Sequence, residues 1–228
     1  MYIFLDEIYY YFLTNNNPTR KKHIINEFKN LKLIEVNPVA NIEGIRSGAS
    51  GFCKIFDLSS INQDKNKPFQ PFCIFEDDVK KYREFPRTIE IPDNTDILHI
   101  GLSIYGNNPD KYCSTIYFKN IDKDIIRIYN MLALHGIIIC SLRGLLSMQK
   151  CILEDFFKNR PWDISSSLLQ PYLNVYALKI PLVYQYGLLG GQEYPTKVNF
   201  INKEDNIIPK ENINIDNISV LLTHKTNI

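Results

Sequence analysis

The chain has 228 residues, 45% of them apolar and 22% charged, with a formal net charge of +1. This is the composition of an ordinary globular protein long enough to bury a substantial core. The near-neutral balance excludes bulk attraction to nucleic acid or an anionic membrane, and the one basic cluster, Arg20-Lys21-Lys22-His23, reads most simply as a solvated helix face.

Ile3 to Leu13, rich in Tyr, Ile and Phe, predicts a strand. Asn15-Asn16-Asn17-Pro18-Thr19 breaks it, with Thr19 placed to cap a helix over Arg20 to Leu31. Ile24, Ile25, Phe28 and Leu31 form the apolar stripe of that helix. Leu33 to Val36 reads as a short strand ending at Asn37-Pro38, so the chain opens as strand, helix, strand. Gly44, Gly48 and Gly51, with Ser47 and Ser50, form a glycine-rich entry to a helix. Such an entry can offer N–H groups to a phosphate, or be an ordinary helix start.

Asn62 to Pro71 reads as a loop, and Lys80 to Pro92 as a short helix and turn. Thr95 to Leu102 reads as a buried strand, ended by Gly106-Asn107-Asn108-Pro109, a loop able to close over a ligand. Cys113 to Phe118 predicts an edge strand and Leu134 to Cys140 a buried one. Ser141 to Phe157 reads as a helix with Leu142, Leu145, Leu146, Cys151 and Leu153 among its apolar positions. A second helix runs from Pro161 to Leu173, followed by a strand over Val175 to Ile180. Residues beyond Asn199 read as an irregular tail or flap.

The most telling stretch is Pro71 to Val79, an apolar run of strand length that ends in Glu76, Asp77 and Asp78. Three carboxylates at a strand end repel one another unless a positive group sits among them, and a hard divalent cation is the usual answer. In α/β proteins the carboxyl ends of strands are also where ligands bind. Equally, the acids could head a helix and favour its macrodipole. The five cysteines are odd in number and none is paired as CxxC, which argues against a zinc site or a disulfide framework and fits a reducing compartment. No apolar run is as long as a membrane span, and Met1 to Glu7 lacks the basic start of a signal peptide. The abundance of Ile, Asn and Lys fits AT-rich coding, as in a large DNA virus or a protist.

In order, several of these pieces resemble the family 25 glycosyltransferases, which include lipooligosaccharide sugar transferases and collagen galactosyltransferases. They are Pro18-Thr19-Arg20, Val36-Asn37-Pro38-Val39, Gly48-Ala49-Ser50-Gly51, Phe75-Glu76-Asp77-Asp78, Asp96 to Gly101, Leu134-His135 to Ile139, Pro161-Trp162-Asp163, and Pro181 with Gln185. Together they span roughly residues 3 to 190. The chain departs from the family at Gly51-Phe52, where a glycine–cysteine pair is usual, and at Ile55-Phe56, where a serine–histidine pair is usual.

The resemblance implies an α/β fold of GT-A type, a Rossmann-like mixed β-sheet flanked by helices, in one domain over residues 1–228. Residues to about 110 would bind the nucleotide-sugar, about 111–200 would form the acceptor side, and 201–228 the tail. It implies a UDP-linked donor, a divalent ion such as Mn²⁺ or Mg²⁺, and an acceptor hydroxyl on a glycan or glycoprotein, collagen-like ones included. No nucleic acid and no transmembrane segment are expected, and the place of action would be the cytoplasm, or the host cytoplasm or virion for a viral protein.

On this resemblance Asp78 is a metal ligand, joined by Glu76, and Glu76 or Asp77 reaches the ribose or a metal-bound water; His224 is a candidate second protein ligand, with a solvated side chain as the plainer alternative. Arg20 and Asn37 fit the nucleotide end. Asp163 is the candidate general base, with a capping aspartate as the plainer alternative. Trp162 could stack on a sugar, while His135 and Gln185 fit either substrate contacts or structural roles. Two other functions fit the same residues: a catalytically degenerate binding module, and a metal-dependent phosphoesterase.

Overall fold

The computed structural model describes residues 1–14, 17–64, 66–103, 105–107, 116–186 and 203–204. It is a mixed α/β structure with four helices among the described residues and a nine-stranded mixed sheet. Its opening unit is β2 (Tyr9–Leu13), α1 (Pro18–Glu27), β3 (Lys32–Val36), α2 (Gly44–Ile61) and β4 (Phe72–Glu76). Both β3 and β4 pair with β2 in parallel, one on each side, with Leu13 level with Val36 and with Glu76.

Local chemistry sets these boundaries. Pro18 has a fixed φ and no N–H, which suits the first helical position. The residue before it therefore takes the cap, and Asn17 accepts hydrogen bonds from the Thr19 and Arg20 N–H groups, so Asn17 rather than Thr19 caps α1. Within α1, Ile24 is buried but Ile25 is exposed. The predicted strand Ile3 to Leu13 is divided into β1 (Tyr2–Phe4) and β2 by a turn at Asp6-Glu7, where the Glu7 N–H bonds the Phe4 carbonyl.

The helix expected within Lys80 to Pro92 does not form. β5 (Val79–Lys81) and β6 (Thr88–Glu90) stand there instead, β6 pairing with β1. Cross-strand partners and prolines at 86 and 92 outweigh the local preference.

The sheet continues through β7 (Ile97–His99), β8 (Tyr117–Asn120), β9 (Ile125–Ile128), β10 (Gly136–Ile139), β11 (Val175–Leu178) and β13 (Lys203–Glu204), while β12 (Val183–Gln185) pairs with β5. Its order is β13-β8-β9-β11-β7-β10-β4-β2-β3. β10 runs antiparallel to both of its neighbours, β4 and β7. β9 was not expected from sequence. It forms a hairpin with β8, and Asp122 accepts from the Asp124 and Ile125 N–H groups at the turn. Of the edge strand expected over Cys113 to Phe118, residues 113–115 lie outside the described residues, and Tyr117 and Phe118 begin β8, which is not an edge strand because β13 pairs on its outer side. Much of the loop after Gly106 and nearly all of the tail also lie outside the described residues.

Helices α3 (Leu142–Lys158) and α4 (Trp162–Leu169) complete the fold, α4 ending before the predicted Leu173. Ser141 caps α3 through the Gly144 N–H. Because side chains alternate along a strand, each face of the sheet has its own core. Tyr11, Ile74, Ile137 and Ile139 face α2, α3 and α4, while Tyr10, Phe12, Cys73 and Phe75 pack with Ile24 and Phe28 of α1. Cys73, Cys140 and Cys151 are buried as small apolar groups. None of the described helices is long and apolar enough to cross a membrane.

Candidate functional site

The chain passes from β2 outward to β3, then returns to place β4 on the other side of β2. Strand order thus reverses at β2, and helices α1 and α2 leave on opposite faces of the sheet. A crevice opens at the carboxyl ends of strands where the order reverses, and ligands of open α/β sheets bind there. Here it is a cavity of about 220 Å³, walled by Leu13, Arg20, Pro38, Gly44, Gly48 and Trp162 together with Glu76, Asp77 and Asp78. Gly44 begins α2 with φ of 60°, a conformation natural to glycine. Its place in the wall brings the partly positive N-terminus of α2 to the cavity.

A second cavity of about 370 Å³ shares Glu76 and Trp162 with the first. Antiparallel β10 begins level with the end of β4, Gly136 opposite Phe75, which brings His135 to this rim. His135, Asp163, Gln185, Ser103 and Tyr105 line the larger cavity. A methyl group at Gly48 would overlap the Trp162 indole, so this glycine allows the ring to lie flush against α2. Trp162 also packs on Phe52, with ring centroids 5.8 Å apart.

The acids are poorly neutralised. The Arg20 guanidinium donates to Asp77 at 2.8 Å and stands 3.9 Å from Asp78. The buried Oδ1 of Asp78 has no hydrogen-bond partner among the described residues. Burial raises the Asp78 carboxyl to about 6, against the pull of Arg20 and with the push of Asp77. Glu76 accepts a 3.1 Å hydrogen bond from the Gln185 amide. Its carboxyl is nevertheless raised to about 8, first by burial, then by the charges of Asp78 and Asp163. Burial also raises Asp163, opposed by hydrogen bonds from backbone N–H groups at the head of α4. His135 is held neutral, its value lowered to about 4 by burial, and its Nε2 has no hydrogen-bond partner among the described residues.

An orphaned carboxylate oxygen beside a second acid of raised pKa fits a hard cation. No group of three His, Cys, Asp or Glu side chains is gathered for a metal among the described residues. A cation held by Asp78 and Glu76 would therefore draw its other ligands from a bound molecule, from water or from residues outside that set.

Glu76, Asp77, Asp78, Arg20, Trp162, Asp163, His135 and Gln185 thus meet at two adjoining cavities. Asn37 does not line either one. It is exposed, its carbonyl accepts from Lys54, and Pro38 forms the wall at that place. His224 lies outside the described residues. Asp163 is the second residue of α4 rather than its cap, which is Pro161. The glycines at 48 and 51 sit inside α2 as packing positions instead of in a phosphate-binding turn. Ile55 and Phe56 are wholly buried in the core, so the departure from a serine–histidine pair takes nothing from the walls of either cavity. Ser103 and Tyr105 carried no signal in the sequence beyond lying near a loop. Compared with family models and with curated proteins, the chain matches none.

Proposed function

We propose that this chain is a metal-dependent, inverting glycosyltransferase of GT-A type, transferring a sugar from a UDP-linked donor to a hydroxyl of a glycan or glycoprotein. The observation that carries the reading is the acidic end of β4, with Glu76 in the wall shared by two cavities and Asp78 in the smaller one, its Oδ1 unsatisfied among the described residues. The reversal of strand order at β2 and the helices on both faces support its Rossmann-like part.

In this reading the diphosphate occupies the smaller cavity, against Arg20 and the start of α2. A Mn²⁺ or Mg²⁺ ion on Asp78 and Glu76 would neutralise charge developing on the leaving phosphate. The sugar reaches past Glu76 toward the larger cavity, where the Trp162 ring offers an apolar face. Asp163 takes the proton of the acceptor hydroxyl as its oxygen forms the new bond to the sugar and the bond to phosphate breaks. A carboxyl raised by burial is a stronger base than an ordinary aspartate.

Calorimetric titration of UDP and UDP-sugars, with and without Mn²⁺, tests this. Metal-dependent binding lost in Asp78→Asn is expected, and Asp163→Asn should keep binding while lowering turnover by about 10²–10⁴-fold. No nucleotide binding under either condition would overturn the reading. A non-catalytic binding module is favoured by one feature, the Arg20–Asp77 pair, which already neutralises part of the acidic cluster. Binding with no transfer to any acceptor would select it.

A further inference from the structure

The chain leaving β7 borders one side of the larger cavity. A methyl group at Gly101 would overlap the His135 ring, and Ser103 and Tyr105 stand in the wall. The Tyr105 backbone is fixed. Its N–H donates to the Ser103 hydroxyl at 3.1 Å, and its carbonyl accepts from the Leu132 N–H at 2.9 Å. Gly106 pairs with Met131, and the Asn107 amide donates to the Ser167 hydroxyl at 2.8 Å and to the Ile164 carbonyl at 3.4 Å. Ile164 follows Asp163, so this anchor holds Tyr105 on the side of the cavity where Asp163 stands. The Tyr105 side chain, by contrast, is 41% exposed and packs on no other ring among the described residues. A large aromatic group left open on an anchored backbone, in a cavity wall, is placed for a ligand rather than for the core.

The rest of the wall says what kind of ligand. Trp162 and Tyr105 give two aromatic surfaces, and Ser103, His135, Asp163 and Gln185 give hydrogen-bond donors and acceptors. Among the described residues no Lys or Arg lines this cavity, and its formal charges are the carboxylates of Glu76 and Asp163. The smaller cavity, by contrast, holds Arg20. An anion entering the larger cavity would meet two acids and no cation. A neutral sugar ring suits it, with its C–H face on an aromatic ring and its hydroxyls on carboxylate, amide and imidazole. A hydroxyl carried on a peptide side chain brings no such face and would leave the Tyr105 ring uncovered.

We infer that Tyr105 is the ring on which the acceptor stacks, and that the acceptor is an uncharged sugar of a glycan rather than a hydroxyl of a protein side chain. That the bound sugar accepts a transferred one rests on the proposed reaction, whereas the binding of a neutral sugar at Tyr105 does not.

Saturation-transfer NMR with methyl β-lactoside, methyl β-cellobioside and methyl α-maltoside, without nucleotide or metal, tests the binding alone. The wild-type chain should bind at least one of them. Tyr105→Ala should weaken the tightest by up to about tenfold, as expected of a stacking contact. Tyr105→Phe should keep it, because the ring and not the phenol stacks. UDP titration should be the same in Tyr105→Ala as in wild type, since Tyr105 does not line the smaller cavity. With donor and Mn²⁺, Tyr105→Ala should raise the acceptor KM by a similar factor and leave kcat in place. Sugar binding that depends on Tyr105 in a chain that binds no UDP would remove the transferase reading and leave the sugar site standing. A wild-type chain that binds none of the three glycosides would overturn the inference. So would a Tyr105→Ala variant that binds as well as wild type, a Tyr105→Phe variant as weak as the alanine one, or transfer to a seryl peptide in preference to the glycosides.

Discussion

Glu76 and Asp78 bind protons more tightly in the folded chain than carboxyls ordinarily do, at about 8 against 4.5 and about 6 against 3.8. Between those limits the folded state holds more protons than the unfolded one, so stability falls as pH rises. The contribution is complete below the ordinary carboxyl values and is lost as pH passes through about 6 and then about 8. Without divalent cations the melting temperature should therefore be higher at pH 5 than at pH 8. Glu76→Gln should flatten this slope and raise the melting temperature at pH 8 by a few degrees, at about 2–4 °C per kcal/mol for a chain of this size. Scanning calorimetry across that range checks it, and an unchanged slope would count against the raised Glu76. At this scale the acidic triplet was legible because charge repulsion is visible in sequence. The Arg20–Asp77 pair and the contact of Trp162 on Gly48 were not, since each joins residues far apart in the chain.

Helix α4 is held to α3 by a buried polar knot. Arg160 and Ser165 both donate to Asp155 at 2.6 Å, and Asp155 is fully buried. Burial raises the Asp155 carboxyl, while Ser165 and Arg160 oppose the rise. The knot lies beside Pro161, Trp162 and Asp163, so it sets the angle at which the start of α4 meets the cavities. Arg160→Ala would leave a buried carboxylate without its cation, at a cost of about 3–5 kcal/mol. Chemical denaturation should show that loss. A loss no larger than that of an exposed arginine would remove the knot's role. Sequence periodicity located α3 and α4, but it did not divide Leu142, Leu146 and Leu153 from the inward Leu145 and Cys151. Hydrophobicity alone does not tell a face that meets the core from one that meets solvent.

Across the whole molecule, two cores share one sheet, so neither face can come apart without exposing strands of the other. Phe75 on one face and Phe52 on the other are both wholly buried. Replacing either with alanine should cost about 3–5 kcal/mol. Each should shift a single unfolding transition, seen alike by circular dichroism and calorimetry. Two separated transitions in either variant would mean that the faces unfold independently. The opening strand–helix–strand unit was legible because its parallel pairing is local. The insertion of β10 between β4 and β7, which brings His135 to the site, depends on long-range pairing that no window of sequence contains. The helix expected in Lys80 to Pro92 failed for the same reason, as partners on β1 and β12 decided its conformation.

Trp162 is the chain's only tryptophan, and it stands in the wall common to both cavities. The protein therefore carries one built-in optical probe, free of background from any other indole. A molecule entering either cavity would change the polarity around the same ring. Emission wavelength and quenching of the unlabelled chain would then report occupancy of either cavity, and rapid mixing would time it.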